Sequence, residues 1–360
     1  GNPSSQHVLG SVVDKAVEHA REQVAELIGA AHPDEVIFTS CATESDNTAL
    51  HSALWAQPQR HALVTTPVEH PAIIATCDFL RARGTDVRFV RVDEHGRLDE
   101  ASFAALLDDE VALASVMWAN NETGNIYAVP HLAEMAAARG VMFHTDAVQA
   151  VGHVPVDVQD MNIDLLTLTA HKFHGPKGVG AVYIKKGVRV PAMITGGGQE
   201  NKKRAGTENV PGIVGLAKAL EIQTANLEAN MQKMTALRDK LIAGVEEKIP
   251  TVHLNGHRTQ RLPNNVNFGI RYIESESILL MLDLKGIAAS SGSACTSGSL
   301  DPSHVLLAMG ISHEEANGSL RMTLSEFTTE EEIDYVLEVL PPIVQRLRDM
   351  SPIYPKGGVQ

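Results

Sequence analysis

Cysteine is scarce. Cys41, Cys77 and Cys295 are the three in 360 residues; they stand far apart, and no Cys-x-x-Cys pair occurs. That pattern argues against a disulfide framework or a structural zinc site, leaves no metal centre to expect, and points to the reducing cytoplasm. Long apolar runs are missing as well: none approaches the roughly 18 residues of a membrane span, and no secretory signal is visible. The chain opens on Gly1 rather than Met, which reads as a processed chain or one lacking its start. Basic charge is in deficit, with 30 Lys and Arg against 44 Asp and Glu and a net charge of −14. Nucleic acid and anionic membrane are therefore not expected as partners. The small basic cluster Lys202, Lys203, Arg204 reads as an anion contact or as a solvated turn. Internal repeats and long low-complexity segments are also lacking.

What is present is ordinary globular material. Hydrophobic residues make up 44% and charged residues 21%, and the length suggests two domains of about 150 residues each. Apolar spacing near 3.6 predicts a helix over 11–28, ended by Gly29. Strands are expected at 36–39, 63–66, 87–92, 111–118, 141–144, 163–168 and 179–184. Helices are expected between them, one opened by a capping box at Thr43-Glu-Ser-Asp46 and one started by Pro130. This alternation predicts an α/β fold with a largely parallel sheet, in which ligands sit beyond the carboxyl ends of the strands. Helices follow at about 211–224 and 226–247. From about 251 the pattern becomes α+β: a strand over 265–268, then helices over 275–284, 302–310 and 329–348.

Unusual polar residues fall at those strand ends: Thr43, His70, Asn121, Asp146, and the pair His171-Lys172. Lys172 lies in a polar turn between two apolar runs, closed by Gly175, Pro176 and Gly178. It reads as an amine placed to form an imine with a carbonyl cofactor, or as a plain loop lysine. Pyridoxal phosphate needs such a lysine, a carboxylate against its ring nitrogen, phosphate donors at a helix start, and a flat group over the ring. Lys172, Asp146, Thr43 with its neighbouring amides, and His70 can fill those places, and Asn121 and Gln149 can reach the ring oxygen. Taken singly, His70 reads equally as a helix cap before Pro71, and Asp146 as an N-cap. Near the end, Ser290-Ser-Gly-Ser-Ala-Cys-Thr-Ser-Gly-Ser299 is nearly all small residues around Cys295, which predicts a mobile loop carrying a thiol.

Eight motifs then converge: Gly1-Asn-Pro-Ser-Ser, Cys41-Ala-Thr-Glu-Ser-Asp-Asn47, Val68-Glu-His-Pro71, Asn120-Asn-Glu-Thr-Gly124, His144-Thr-Asp-Ala-Val-Gln149, His171-Lys172, Arg204-Ala-Gly-Thr-Glu-Asn209 and Ser290-Ser-Gly-Ser-Ala-Cys295. The chain resembles, over essentially its whole length, the cysteine desulfurases among the class V, fold-type I aminotransferase-like enzymes, and most of all the nitrogen-fixation (NifS-like) type. The resemblance implies a large domain, 1–228, with a mainly parallel seven-stranded sheet, and a smaller α+β domain, 229–360, that carries the catalytic cysteine loop. It implies a cytoplasmic homodimer that takes sulfur from L-cysteine, leaves L-alanine, and supplies iron–sulfur cluster assembly for nitrogenase through a scaffold protein. Lys172 would hold the cofactor and shuttle the Cα proton; Cys295 would take the sulfur as a persulfide. His70 would stack on the ring and assist proton transfer. Ala42, Thr43, Thr169 and His171 would seat the phosphate, Asp146 would pair with the ring nitrogen, and Asn121 and Gln149 would contact cofactor or substrate. Thr207 would reach the phosphate in the partner subunit's site, and Arg321 would bind the substrate carboxylate as a bidentate pair. Two departures stand out: the family's N-terminal segment with a Leu-Asp-Asn-Asn-Ala-Thr-Thr motif is absent, and Glu326 replaces a second arginine in Arg321-Met-Thr-Leu-Ser-Glu326. They motivate a competing expectation of an impaired homologue that only binds a sulfur-acceptor scaffold. A selenocysteine lyase or a plain aminotransferase on the same fold is the other alternative.

Overall fold

The computed structural model describes residues 1–292 and 302–355. Cys295, and most of the small-residue stretch around it, lies outside the described residues. The chain divides into two compact units. The first comprises Gly1–Arg91, Leu98–Ala119 and Tyr127–Leu227, and the second Val92–Arg97, Asn120–Ile126 and Glu228–Gln360.

The first unit is a seven-stranded, mainly parallel sheet with helices α1 (Val8–Leu27), α2 (Ala42–Ala56), α3 (Pro71–Arg81), α4 (Glu100–Leu106), α5 (Val129–Ala137) and α6 (Val210–Ala225). In chain order its strands are β1 (Val36–Thr39), β2 (Ala62–Thr65), β3 (Asp86–Phe89), β4 (Val111–Ser115), β5 (Met142–Asp146), β6 (Leu165–Thr169) and β7 (Gly180–Ile184). They lie side by side as β1-β7-β6-β5-β4-β2-β3. β3, β2, β4, β5 and β6 run parallel, while β7 is antiparallel to both neighbours. Covered central strands must be apolar throughout, and β4 (Val-Ala-Leu-Ala-Ser) is buried at every position. The edge strand β3 tolerates Asp86 and Arg88 because it is only half covered. Helix α2 (Ala42–Ala56) presses Ala49, Leu50 and Ala53 into a core with Leu63, Leu113 and Val182. Each fully buried leucine there contributes about 1.5–3 kcal/mol.

The expected elements are present, with two corrections. The capping box at Thr43 does not form. The helix begins two residues earlier, with Cys41 at the N-cap and no side chain capping it. Glu44 instead reaches outward to the Ser40 amide at 2.8 Å and hydroxyl at 2.6 Å. Asp146 is not beyond its strand but its last residue. Lys172 is exposed in a 3-10 turn at 170–172, while its neighbour Phe173 is buried.

The second unit has a three-stranded antiparallel sheet of β8 (Val252–Leu254), β9 (Asn265–Ile270) and β10 (Ser319–Thr323), ordered β10-β9-β8. Helices α7 (Leu227–Lys248), α8 (Ser275–Asp283) and α11 (Glu330–Met350) close its core around Phe268, Leu282, Leu320 and Leu340, and the short helices α9 (His304–Ala308) and α10 (His313–Ala316) lie between α8 and β10 in the chain. The short strands β8 and β10 were not foreseen. Among the described residues no helix is long and apolar enough to cross a membrane.

Candidate active site

The first unit gathers its polar groups at the strand ends. β1 leads through Ser40 and Cys41 into α2, whose first turn carries Ala42 and the exposed Thr43. A helix start without a side-chain cap has N–H groups available to an anion. The same turn is held from the side by Arg204, whose Nε donates to Glu44 Oε1 at 2.9 Å. Burial alone would push Glu44 up, but the bonds from Arg204 and Ser40 outweigh it and leave the carboxyl below its ordinary value. Arg204 belongs to the segment that reaches the exposed Thr207. A 140 Å³ cavity lies among Thr39, Ser40, Gly178, Arg204 and Thr207.

At the end of β5 the Asp146 carboxylate is buried, and its Oδ1 accepts from the Val148 amide at 2.9 Å. Burial pushes it up to about 6, opposed by that amide and by the charge of Lys172. Thr169 ends β6, donates to the Val179 carbonyl at 3.1 Å, and lies 3.3 Å from His171 Nδ1. The turn that presents Lys172 is tight: the Gly175 amide bonds Ala170 O at 2.8 Å, and a Cβ on Gly175 would lie 2.8 Å from that of Ala170. His70 is the N-cap of α3 (Pro71–Arg81), its Nδ1 accepting from Ala72 N at 3.1 Å. Gln149 is half-buried in the turn after Asp146.

Beneath Asp146 lie groups not singled out from the sequence. His144, two residues earlier on the same strand face, is held by Ser115 Oγ at 2.8 Å and Thr167 Oγ1 at 3.0 Å. Burial drives it down to about 3, so the ring is neutral. Asp46 of α2 stands 3.7 Å from His144 and is 1% exposed. Burial, and then the Asp146 charge, push it well above the usual carboxylate range. Glu69 takes the Met117 amide at 2.9 Å and the Thr66 hydroxyl at 2.7 Å, and burial lifts it to about 8. Asp46, Glu69 and His144 all sit inside quoted motifs. Their polarity within apolar surroundings was the available signal.

In the second unit, Asn121 and Arg321 come together, with Arg321 Nη1 donating to the Asn121 carbonyl at 2.9 Å. Asn121 opens a turn in which Asn120 Oδ1 accepts from the Glu122 and Thr123 amides at 2.9 and 2.8 Å.

These residues suit pyridoxal phosphate. The uncapped α2 start, Thr43, Thr169 and His171 offer an anion seat. Asp146, already pushed up by burial, would gain its counter-charge from a cationic ring nitrogen. Lys172 supplies the amine. The profile of aminotransferase class-V matches residues 1–336. The chain belongs to the class-V aminotransferase family. With that family it shares pyridoxal phosphate as its cofactor. Among relatives, it is 51% identical to the cysteine desulfurase NifS of Azotobacter vinelandii over 358 residues, which cover 99% of this chain and 89% of that one. It is 50% identical to the cysteine desulfurase IscS of Methanosarcina thermophila over 357 residues, 99% and 88% of the two chains. Among solved structures, a NifS-like protein superposes with a TM-score of 0.90 at 37% identity, over 96% of this chain and 92% of that one. DndA from Streptomyces lividans does so with a TM-score of 0.78 at 35% identity, over 90% and 92%.

Proposed function

We propose that the chain is a cysteine desulfurase that converts L-cysteine to L-alanine and keeps the sulfur on Cys295 as a persulfide. The observation that carries this reading is the buried Asp146 carboxylate, within reach of the Lys172 charge, at the sheet end of a chain half identical to cysteine desulfurases over nearly all its length. Pyridoxal phosphate, when bound, supplies an electron sink beside the substrate Cα. Asp146 stabilises positive charge at the ring nitrogen. Thr43, Ala42, Thr169 and His171 would hold the phosphate, and His70, Gln149 and Asn121 would contact the cofactor or substrate. Arg321 receives the substrate carboxylate. The Lys172 amine accepts the Cα proton and returns one. The Cys295 thiolate attacks the substrate sulfur: an S–S bond forms, the Cβ–S bond breaks, and its electron pair stays on Cβ, which takes a proton. Sulfur is oxidised and carbon reduced, so cysteine and enzyme thiol give alanine and enzyme persulfide with no outside reductant.

In the finer reading the enzyme is a cytoplasmic homodimer that hands its sulfur to an iron–sulfur scaffold, with nitrogenase as the destination. The motif likeness to the nitrogen-fixation type supports that destination.

Lys172→Ala is expected to lower sulfide release by ~10²–10⁴-fold and to abolish the yellow colour of the lysine-bound cofactor. Cys295→Ser is expected to keep the colour and release no sulfide above background. Sulfide release by Cys295→Ser at the parent rate would overturn the persulfide route, and a protein that takes up no pyridoxal phosphate would overturn the whole reading.

A further inference from the structure

Glu122 has no part in the chemistry above, yet its carboxyl is buried within the second unit. It is 4% exposed, and its Oε2 accepts from the Ser303 hydroxyl. Ser303 is itself buried and caps α9 (His304–Ala308), its Oγ accepting from Leu306 N at 3.2 Å. From another side Gly292 lies so close that a Cβ there would sit 2.6 Å from the same Oε2. Gly292 N also donates to Ser319 Oγ at 3.3 Å, and Ser290 exchanges backbone bonds with Arg321. The Glu122 backbone is fixed too, its carbonyl accepting from Asn267 Nδ2 at 3.0 Å. The residue before it, Asn121, holds Arg321. One buried acid thus touches Gly292, Ser303 and the turn that grips Arg321.

We propose that Glu122 is a positioning residue: its carboxyl fastens Gly292 and Ser303 and, next to Arg321, sets where that guanidinium can receive an amino-acid carboxylate. The inference rests on reading Arg321 as the carboxylate site. Among the described residues Arg321 on β10 is the charged group that faces Glu122; Ser303, Gly292 and Asn267 present uncharged groups. Burial raises Glu122 to about 7, with the Ser303 bond and the Arg321 charge opposing it. Below that pH the neutral acid leaves the guanidinium to the ligand. Above it the anion competes with the ligand carboxylate for the same charge.

The test follows L-alanine binding by the absorbance change of the bound cofactor, which needs no desulfuration, with thermal melting as the check on folding. The affinity of the parent protein should weaken as pH rises through about 7. Glu122→Gln, which still accepts from Ser303, should bind within about 3-fold of the parent at pH 6 and lose that pH dependence. Glu122→Ala should bind about 5-fold more weakly at pH 6, the loss expected for one neutral hydrogen-bond partner. Gly292→Ala should weaken binding in the parent and add nothing in Glu122→Ala, where the space has been opened. Alanine affinity and pH profile unchanged in both Glu122 variants would overturn the proposal, as would an equal effect of Gly292→Ala in the two backgrounds. If Glu122→Ala does not fold, the Gln variant and Gly292→Ala carry the same decision. A protein that binds alanine with this Glu122 dependence but releases no sulfide from cysteine would retain the inference and overturn the desulfurase reading.

Discussion

At the scale of single residues, the site is dominated by acids held away from water. Asp46, Glu69 and Asp146 lie together on the first unit, and burial raises all three. Like charges so placed disfavour one another's ionisation, and the nearby charge of Lys172 favours the charged form of Asp146. Glu69 gives a measurable consequence. Its folded value of about 8 lies above the ordinary 4.5, so the folded protein binds the extra proton. The stability this confers is complete below the ordinary value and is lost as pH rises through about 8, at about 1.4 kcal/mol for each pH unit in between. Glu69→Gln keeps an oxygen for the Met117 amide and the Thr66 hydroxyl but cannot ionise. Denaturant melts from pH 5 to pH 9 should fall more gently for the variant, which should be the more stable of the two at pH 9. Parallel curves would show that Glu69 is not protonated in the folded state. Such a role was not legible beforehand, because a glutamate before a His-Pro reads as a helix start until the strands that bury it are placed. Lys172, Asp146 and His70, by contrast, announced themselves by residue type and by position after apolar runs. The sequence could not tell that Lys172 is exposed or that Asp146 still belongs to its strand.

At the scale of elements, periodicity carried most of the fold. Long amphipathic helices such as α11 were clear despite Pro341 and Pro342 inside it, because the Thr329–Glu332 capping box and the apolar face point the same way. The short strands β8 and β10 were not, since three to five residues carry too little pattern to outweigh their neighbours. The start of α2 shows how a local rule loses to a distant partner. Thr43 and Asp46 have capping-box spacing, but Glu44 is claimed by Ser40 and by Arg204, 160 positions further on. That pair is partly buried, which makes its loss cost more than that of a surface pair. It ties the segment bearing Thr207 to the helix start proposed as the phosphate seat. Arg204→Ala should therefore weaken pyridoxal phosphate binding by about 10-fold, the equivalent of 1.4 kcal/mol, while Lys218→Ala, which removes an exposed pair within α6 (Val210–Ala225), should not. Equilibrium titration of the apoprotein, followed by absorbance of the bound cofactor, measures both. Equal affinities for the two variants would mean that the Arg204–Glu44 pair does not shape the seat.

At the scale of the whole molecule, the question is whether one chain makes a complete site. Thr207 is exposed, in a segment held by two ion pairs: Arg204 with Glu44, and the buried pair in which Glu200 accepts from the two terminal guanidinium nitrogens of Arg21 at 2.7 and 2.9 Å. A segment fixed this firmly while presenting a hydroxyl outward is suited to serve a second copy, which is the proposed homodimer. Symmetry makes the idea testable, because in a two-fold dimer each lesion strikes a definable site. In a mixed dimer of Lys172→Ala and Thr207→Ala chains, one site would lose both groups if Thr207 acts across the interface. The other site would have its own Lys172 and an intact Thr207 from its neighbour. Random exchange makes about half of the dimers mixed, so about a quarter of parent sites should return. If Thr207 serves its own chain instead, every site in every combination lacks one of the two groups and nothing returns. The two proteins should be unfolded together, refolded, and assayed for sulfide release at a pyridoxal phosphate concentration that leaves the Thr207→Ala protein mostly unloaded. Recovery near a quarter would place Thr207 in the partner's site. Activity no higher than the sum of the separate variants would place it in its own.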